Sequence, residues 1–303
     1  MDTLELIGIL TGQPCKDRFG PEISPAGEDV IARYAGDAGE PFGRAIHLLP
    51  SSRRRALEAL YILRRELRDI AQSPASRALK LALLADWRAE IARLYAGRPP
   101  HLATGALREA IERYDLRCDD FLAIVAGTEM DVRSDIRAPA LDELDLYCER
   151  SAVAACRLVF HTMGARQPAG EPLAAALGRG VQLAGILRDL TRDATRQRLY
   201  LPREILRAHG IVATMPAYVL AQPALHRVCD DIADLAEAYF GDAERGLSSN
   251  PRWVALAAKA MLVGYRSLLA GLRARGWTRL DAPVRCPVWS RPTLRIGDSL
   301  VLR

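Results

Sequence analysis

Lysine is nearly missing from this 303-residue sequence: only Lys16, Lys80 and Lys259 occur among 42 lysines and arginines, so 39 are arginine. Biased codon usage is the plain account of such a skew. Its chemical effect is definite all the same, because a planar guanidinium grips phosphate oxygens through two parallel N–H bonds where an ammonium offers a point charge. Aromatic residues are scarce, at 6%, which suits a core of Ala, Leu, Val and Ile on helices rather than strands. The cysteines Cys15, Cys118, Cys148, Cys156, Cys229 and Cys286 form no CxxC pair and have no histidine at metal spacing. Neither a zinc site nor a disulfide framework is indicated, and a reducing cytoplasm fits. The histidines His47, His101, His161, His209 and His226 are dispersed and read as surface or capping residues. Asp2 and Glu5 stand where a signal peptide needs positive charge, and no apolar run reads as a membrane span. No unit of 30–45 residues repeats, which disfavours a solenoid. The arginines are not interleaved with aromatics, so nucleic acid is not an expected partner.

What is present is helical periodicity and positive charge. The formal net charge of +5 favours anionic partners such as diphosphates or acidic lipid head groups. Residues 1–40, rich in Gly, Pro and Asp, read as an irregular lead-in with one short helix near 28–34, and residues 281–303, with Pro283, Pro287 and Pro292, as an extended tail. Between them, 41–280 reads as one helical domain. Ala56, Leu57, Leu60, Leu63, Leu67 and Ile70 recur at intervals of three and four, predicting a helix over 51–71 that starts at Pro50-Ser51-Ser52 and stops before Pro74. The same reasoning predicts helices over 78–95, 104–114, 118–131, 141–163, 172–195, 202–208, 222–247 and 252–275. The fold class is therefore all-α, a single domain large enough to enclose a cavity.

The sharpest local signal is QLAGILRDLTRDATRQRLYLPRE, residues 182–204. Asp189 and Asp193 are four apart, so on a helix both carboxylates leave the same face and can share a hard cation. Gln182 and Gly185 lie upstream on that stripe. An Asp pair at this spacing is more often a solvated face held by neighbours such as Arg188, Arg192 and Arg196. Here, however, the helix runs straight into Arg198-Leu199-Tyr200-Leu201-Pro202, a polar and aromatic hook over its end.

That stretch resembles the squalene/phytoene synthase family, whose signature there runs approximately Q-L-x-N-I-L-R-D-x-x-x-D and then R-x-Y-L-P. The likeness covers residues 40 to 280: Phe42 to Pro50, Arg55 to Tyr61, Trp87 to Ile91, Tyr95 to Pro99, Glu129-Met130-Asp131, Asp145 to Arg150 and Arg273 to Trp277. The segments 145–150 and 198–204 look most like the bacterial presqualene diphosphate synthase branch of hopanoid synthesis. The resemblance implies an isoprenoid-synthase-like bundle of helices around a central cavity, with two acidic helices holding Mg2+ against a diphosphate and an apolar pocket shielding the allylic cation. It implies head-to-head joining of two farnesyl diphosphates, with no nicotinamide expected. Asp189 and Asp193 become the metal ligands and, with Tyr147, the catalytic set. Tyr61, Arg65, Gln182, Arg188, Arg198 and Tyr200 become the diphosphate-binding set.

The sequence departs from that pattern where the first acidic helix should carry D-x-x-x-D. Arg68 and Gln72 replace both aspartates, and Gly185 replaces the asparagine of the second motif. Asp69 is one residue along, which on a helix turns a side chain by about 100°. Arg68 is expected to pair directly with Asp189 and Asp193 in place of the ion, because an unpaired carboxylate pair in a cavity is costly. Two functions remain open. One is a working prenyl transferase. The other is a catalytically impaired paralogue that binds an isoprenoid or an active homologue. The expected location is cytoplasmic, with peripheral contact at the inner membrane face.

Overall fold

The computed structural model describes residues 49–99, 104–133, 136–165 and 168–284. The expected short helix near 28–34, most of the 42–50 motif, His47, His101, Cys15, Cys286 and the tail beyond 284 lie outside them. The described residues are helical with no strand. Their one β-type contact is an isolated bridge between Arg137 and Leu199.

Helix α1 (Ser51–Gln72) forms where the periodicity placed it. Ala56, Leu57, Leu60, Leu63, Leu67 and Ile70 are all buried, Pro50 precedes the first turn, and the Ser73 hydroxyl donates to the Ile70 carbonyl at its end. Helix α2 (Arg77–Tyr95) starts at Ser76, whose side chain accepts from the Leu79 amide, satisfying one of the donors a helix start leaves open. Then come α3 (Gly105–Tyr114) and α4 (Cys118–Arg133). Two features were not expected from the sequence. The predicted 141–163 helix is α5 (Leu141–Cys148) and α6 (Ala154–Thr162) joined by a π turn at Glu149–Val153. A π turn admits one extra residue and loosens the i→i−4 ladder. Here the Ser151 hydroxyl lies 2.7 Å from the Tyr147 carbonyl and supports it.

Helix α7 (Gly170–Thr195) is the axis of the bundle. It packs most extensively on α10 (Leu225–Arg245) and also on α6, on the π turn and on α11 (Arg252–Arg275). Close approach depends on a missing side chain: a Cβ on Gly180 would stand 2.5 Å from the Phe240 ring, so glycine lets that buried phenylalanine pack directly on α7. The shorter α8 (Arg203–Ala208) and α9 (Pro216–Leu220) connect α7 to α10. The second was missed by the sequence reading, although its proline at the helix start is a recognisable signal.

Two further points bear on the site. Helix α11 is long and apolar enough to cross a membrane, with a mean hydropathy of 1.3 over its most apolar window, contrary to the expectation of no such run. Over half of that window is buried, and Val254, Ala258, Leu262, Leu268 and Leu272 face the core. Arg157 of α6 ties three elements together by pairing with Glu149 of the π turn, Glu171 of α7 and Asp120 of α4. Burying this guanidinium with three carboxylates fixes the relative positions of helices that line the cavity.

Candidate active site

Residues 61, 64, 65, 68 and 72 of α1 recur at three and four, so they share the face opposite to the buried Leu63, Leu67 and Ile70. On α7 the same rule groups 182, 185, 188, 189, 192 and 193. The two faces line one cavity of about 290 Å3. All twelve residues singled out from the sequence, Tyr61, Arg65, Arg68, Gln72, Tyr147, Gln182, Gly185, Arg188, Asp189, Asp193, Arg198 and Tyr200, lie on its wall. Arg64, Arg68 and Gln72 are exposed, so the polar part of the lining opens outward, while Ala152, Ala155, Cys156 and Val159 contribute an apolar part.

The sequence reading gave Asp131 no role, yet it organises the wall. Its Oδ1 accepts from the Tyr200 hydroxyl at 2.6 Å and its Oδ2 from the Tyr147 hydroxyl at 3.2 Å, while Arg198 donates to its backbone carbonyl at 2.9 Å. The two tyrosine rings stack with centroids 5.2 Å apart. Local backbone contacts bring these groups together. The Leu199 amide donates to the Ile136 carbonyl (2.7 Å) and the Ala138 amide to the Leu199 carbonyl (2.9 Å), pinning the chain after α4 to the chain after α7. Gln197, at φ +59°, makes the left-handed turn that swings Arg198 back over the helix end. Burial pushes the Asp131 carboxyl up against the pull of Tyr200 and Arg198, and it raises both phenols well above their usual range, with Asp131 adding to the shift. The pair therefore stays protonated at any physiological pH.

The acidic pair behaves asymmetrically. Arg188 holds Asp189 through both oxygens, at 3.0 and 2.9 Å, and Arg192 donates to Oδ2 as well. The Asp193 carbonyl accepts from the Arg196 and Arg198 amides, and burial, reinforced by Asp189 and opposed by Arg192 and Arg198, pushes its carboxyl up to about 6. Asp189 takes these two guanidinium partners, Arg188 and Arg192, from its own helix, one and three residues away, where no span across the cavity is needed. Gln182 Oε1 lies 3.1 Å from the Ser151 hydroxyl, whose single proton serves either this oxygen or the Tyr147 carbonyl. Gly185 has open space where a Cβ would be. Buried Cys156, beside the apolar end, has its thiol pushed up to about 12 by desolvation.

A metal of the kind the resemblance implies would have Asp189 and Asp193 of α7 as its carboxylate donors, its other positions being left to phosphate oxygens and water. Among the described residues no group of three or more His, Cys, Asp or Glu side chains is placed to hold an ion. The α1 wall offers guanidinium and carboxamide groups, and Asp189 is paired with two arginines. None of the described histidines touches the cavity, and His209 pairs instead with Asp231 at 2.7 Å. A second cavity, of about 310 Å3, shares Tyr147 and Tyr200 with the first and contains no other predicted site residue.

The squalene/phytoene synthase family matches residues 36–293. The sequence is 42% identical to presqualene diphosphate synthase of Rhodopseudomonas palustris over 263 residues, covering 87% of this chain and 94% of that one. It is 36% identical to the presqualene diphosphate synthase of Zymomonas mobilis over 262 residues, 86% of this chain and 89% of that one. Among solved structures, a squalene synthase from Alicyclobacillus acidocaldarius aligns with a TM-score of 0.71 at 25% identity, covering 83% of this chain and 95% of that one.

Proposed function

Because the chain belongs to the squalene/phytoene synthase family, we propose that it is a prenyl transferase that joins two farnesyl diphosphates head to head to give presqualene diphosphate, the product in the names of its relatives. The observation that carries this reading is the gathering of all twelve predicted residues on the wall of one cavity, which is lined by arginines as well as by apolar side chains. The arginines receive diphosphate oxygens, which guanidinium groups hold in paired hydrogen bonds as charge builds on the leaving group. The stacked faces of Tyr147 and Tyr200 present π density to the allylic cation left behind.

Their hydroxyls donate to Asp131 and stay protonated, so neither offers a phenolate that would trap the cation. The neutral Cys156 thiol is silenced in the same way. Ala152, Ala155 and Val159 keep water from the apolar part of the lining. A cytoplasmic location with peripheral membrane contact belongs to this proposal and is supported by the net charge of +5 and the apolar tail of the substrate.

Loss of metal ligands alone favours the alternative of an impaired paralogue, and the names of the relatives lend it no support. Purified protein incubated with farnesyl diphosphate, with and without Mg2+, is expected to release pyrophosphate and form presqualene diphosphate. No release under either condition, from protein shown to be folded, would overturn the transferase reading.

A further inference from the structure

The rim of the second cavity includes Arg207, Val212 and Thr214, all exposed. Val212 is 76% exposed and Tyr218 67%, the highest values of any large hydrophobic side chain among the described residues, and Met215 lies between them at 39%. Such groups cost little singly, but three on one short stretch, with exposed Ala217 and Ala221 beside them, make a patch that suits a partner of low polarity. Pro216 and Val219 pack inward and seat α9, so the patch stands on an anchored element.

The charge around it has one sign. No carboxylate occurs from Ile205 to Cys229, a stretch that holds Arg207, His209, His226 and Arg227. The acids that border it are engaged: Glu143 with Arg203 at 2.7 Å, Asp231 with His209 at 2.7 Å, and Glu204 as acceptor of the Leu141 amide at 3.1 Å. The Arg137 guanidinium lies 3.3 Å from the Met215 sulfur and brings a further positive group to the patch. Apolar side chains bordered by guanidinium groups complement the interface of an anionic bilayer, where tyrosine sits at head-group level and arginine meets lipid phosphate.

We propose that residues 207–222 dock this chain on an anionic lipid bilayer, with Val212, Met215 and Tyr218 entering the head-group layer and Arg207 on lipid phosphate. The proposal rests on the prenyl-diphosphate reading for its purpose, since a ligand with a long apolar tail is handled at a membrane, and goes beyond it in naming the docking surface. Docked this way, the second cavity opens toward lipid, and Tyr147 and Tyr200 form the wall it shares with the first.

The test is sedimentation of the purified protein, without substrate, with vesicles of phosphatidylcholine and phosphatidylglycerol in equal parts and with vesicles of phosphatidylcholine alone. Binding is expected to be about tenfold or more tighter to the anionic vesicles and to weaken as salt rises. Val212→Ser/Tyr218→Ser is expected to weaken it by about tenfold or more, and Arg207→Ala by about fivefold. Leu256→Ser, which removes an exposed apolar side chain from α11, is expected to leave it unchanged. Arg207, Val212 and Tyr218 are exposed, so these variants are expected to fold, which their melting curves check. Protein that ignores both vesicles, binds them equally, or binds as tightly after the Val212/Tyr218 substitutions overturns the proposal. So does self-association that the double variant abolishes in the absence of vesicle binding, which would give the face to a second copy of this chain. Product formed from farnesyl diphosphate by protein that ignores vesicles removes this inference and leaves the transferase reading. Vesicle binding without product removes the transferase reading alone.

Discussion

Gly178 lies so close to Val153 that a Cβ on the glycine would stand 2.6 Å from the Val153 Cα and 2.7 Å from its nitrogen. The contact is backbone to backbone, between α7 and the π turn, and no rotamer change relieves it. Gly178→Ala is therefore expected to cost about 1–3 kcal/mol of stability by forcing the two elements apart. A urea melt reads this directly. An unchanged midpoint would mean that the π turn is free to shift and does not fix the wall.

Gly185 is the opposite case. A Cβ there meets nothing within 4 Å and points into the cavity. Gly185→Asn should fold normally and gain a few tenths of a kcal/mol, because asparagine restricts the unfolded chain more than glycine and has the better helix propensity, within a spread of about 1 kcal/mol. A fall in melting temperature would show that the open space is not available.

Asp193 links stability to pH. Its folded-state value of about 6 lies above the ordinary 3.8, so the folded protein binds this proton more tightly than the unfolded chain does. The stabilisation is complete below about pH 4 and is lost as pH rises through about 6. Asp193→Asn is thus expected to stabilise the protein on the order of 1–3 kcal/mol at pH 7.5, the upper figure being unscreened, and to change little at pH 4. Urea melts at both pH values in EDTA settle it, and equal shifts at the two would contradict the assignment.

The tyrosine pair separates ring from hydroxyl. Tyr147→Phe keeps the stacked face and gives up a 3.2 Å hydrogen bond, so most turnover should remain. Tyr147→Leu removes the π face, and turnover should drop by about 5- to 30-fold if cation–π attraction contributes about 1–2 kcal/mol. Equal losses in both variants would assign the role to the hydroxyl.

Much of this was legible in the sequence because helical spacing alone decides which side chains share a face. Residues 61, 65, 68 and 72 could be grouped, as could 182, 185, 189 and 193, without knowing how the helices pack. What spacing cannot report is which partner a side chain chooses. Asp189 pairs with Arg188 and Arg192 from its own helix, where the reach is short, and nothing in the spacing singles these two out among the arginines nearby. Asp131 escaped notice as the acceptor for two tyrosines because residues 131, 147 and 200 meet only through the pairing of the chain after α4 with the chain after α7. The π turn left no mark either, since nothing in Glu149–Val153 departs from ordinary helix composition.

The π turn absorbs its additional residue locally, so deleting one position within 149–153 would restore an unbroken α-helix and leave Ala155, Arg157 and Val159 on their present faces. A deletion elsewhere in α5 or α6 has no such absorber and would turn every downstream side chain by about 100°. Homologous chains that share this chamber should accordingly place gaps in this region, where they have any, inside the π turn.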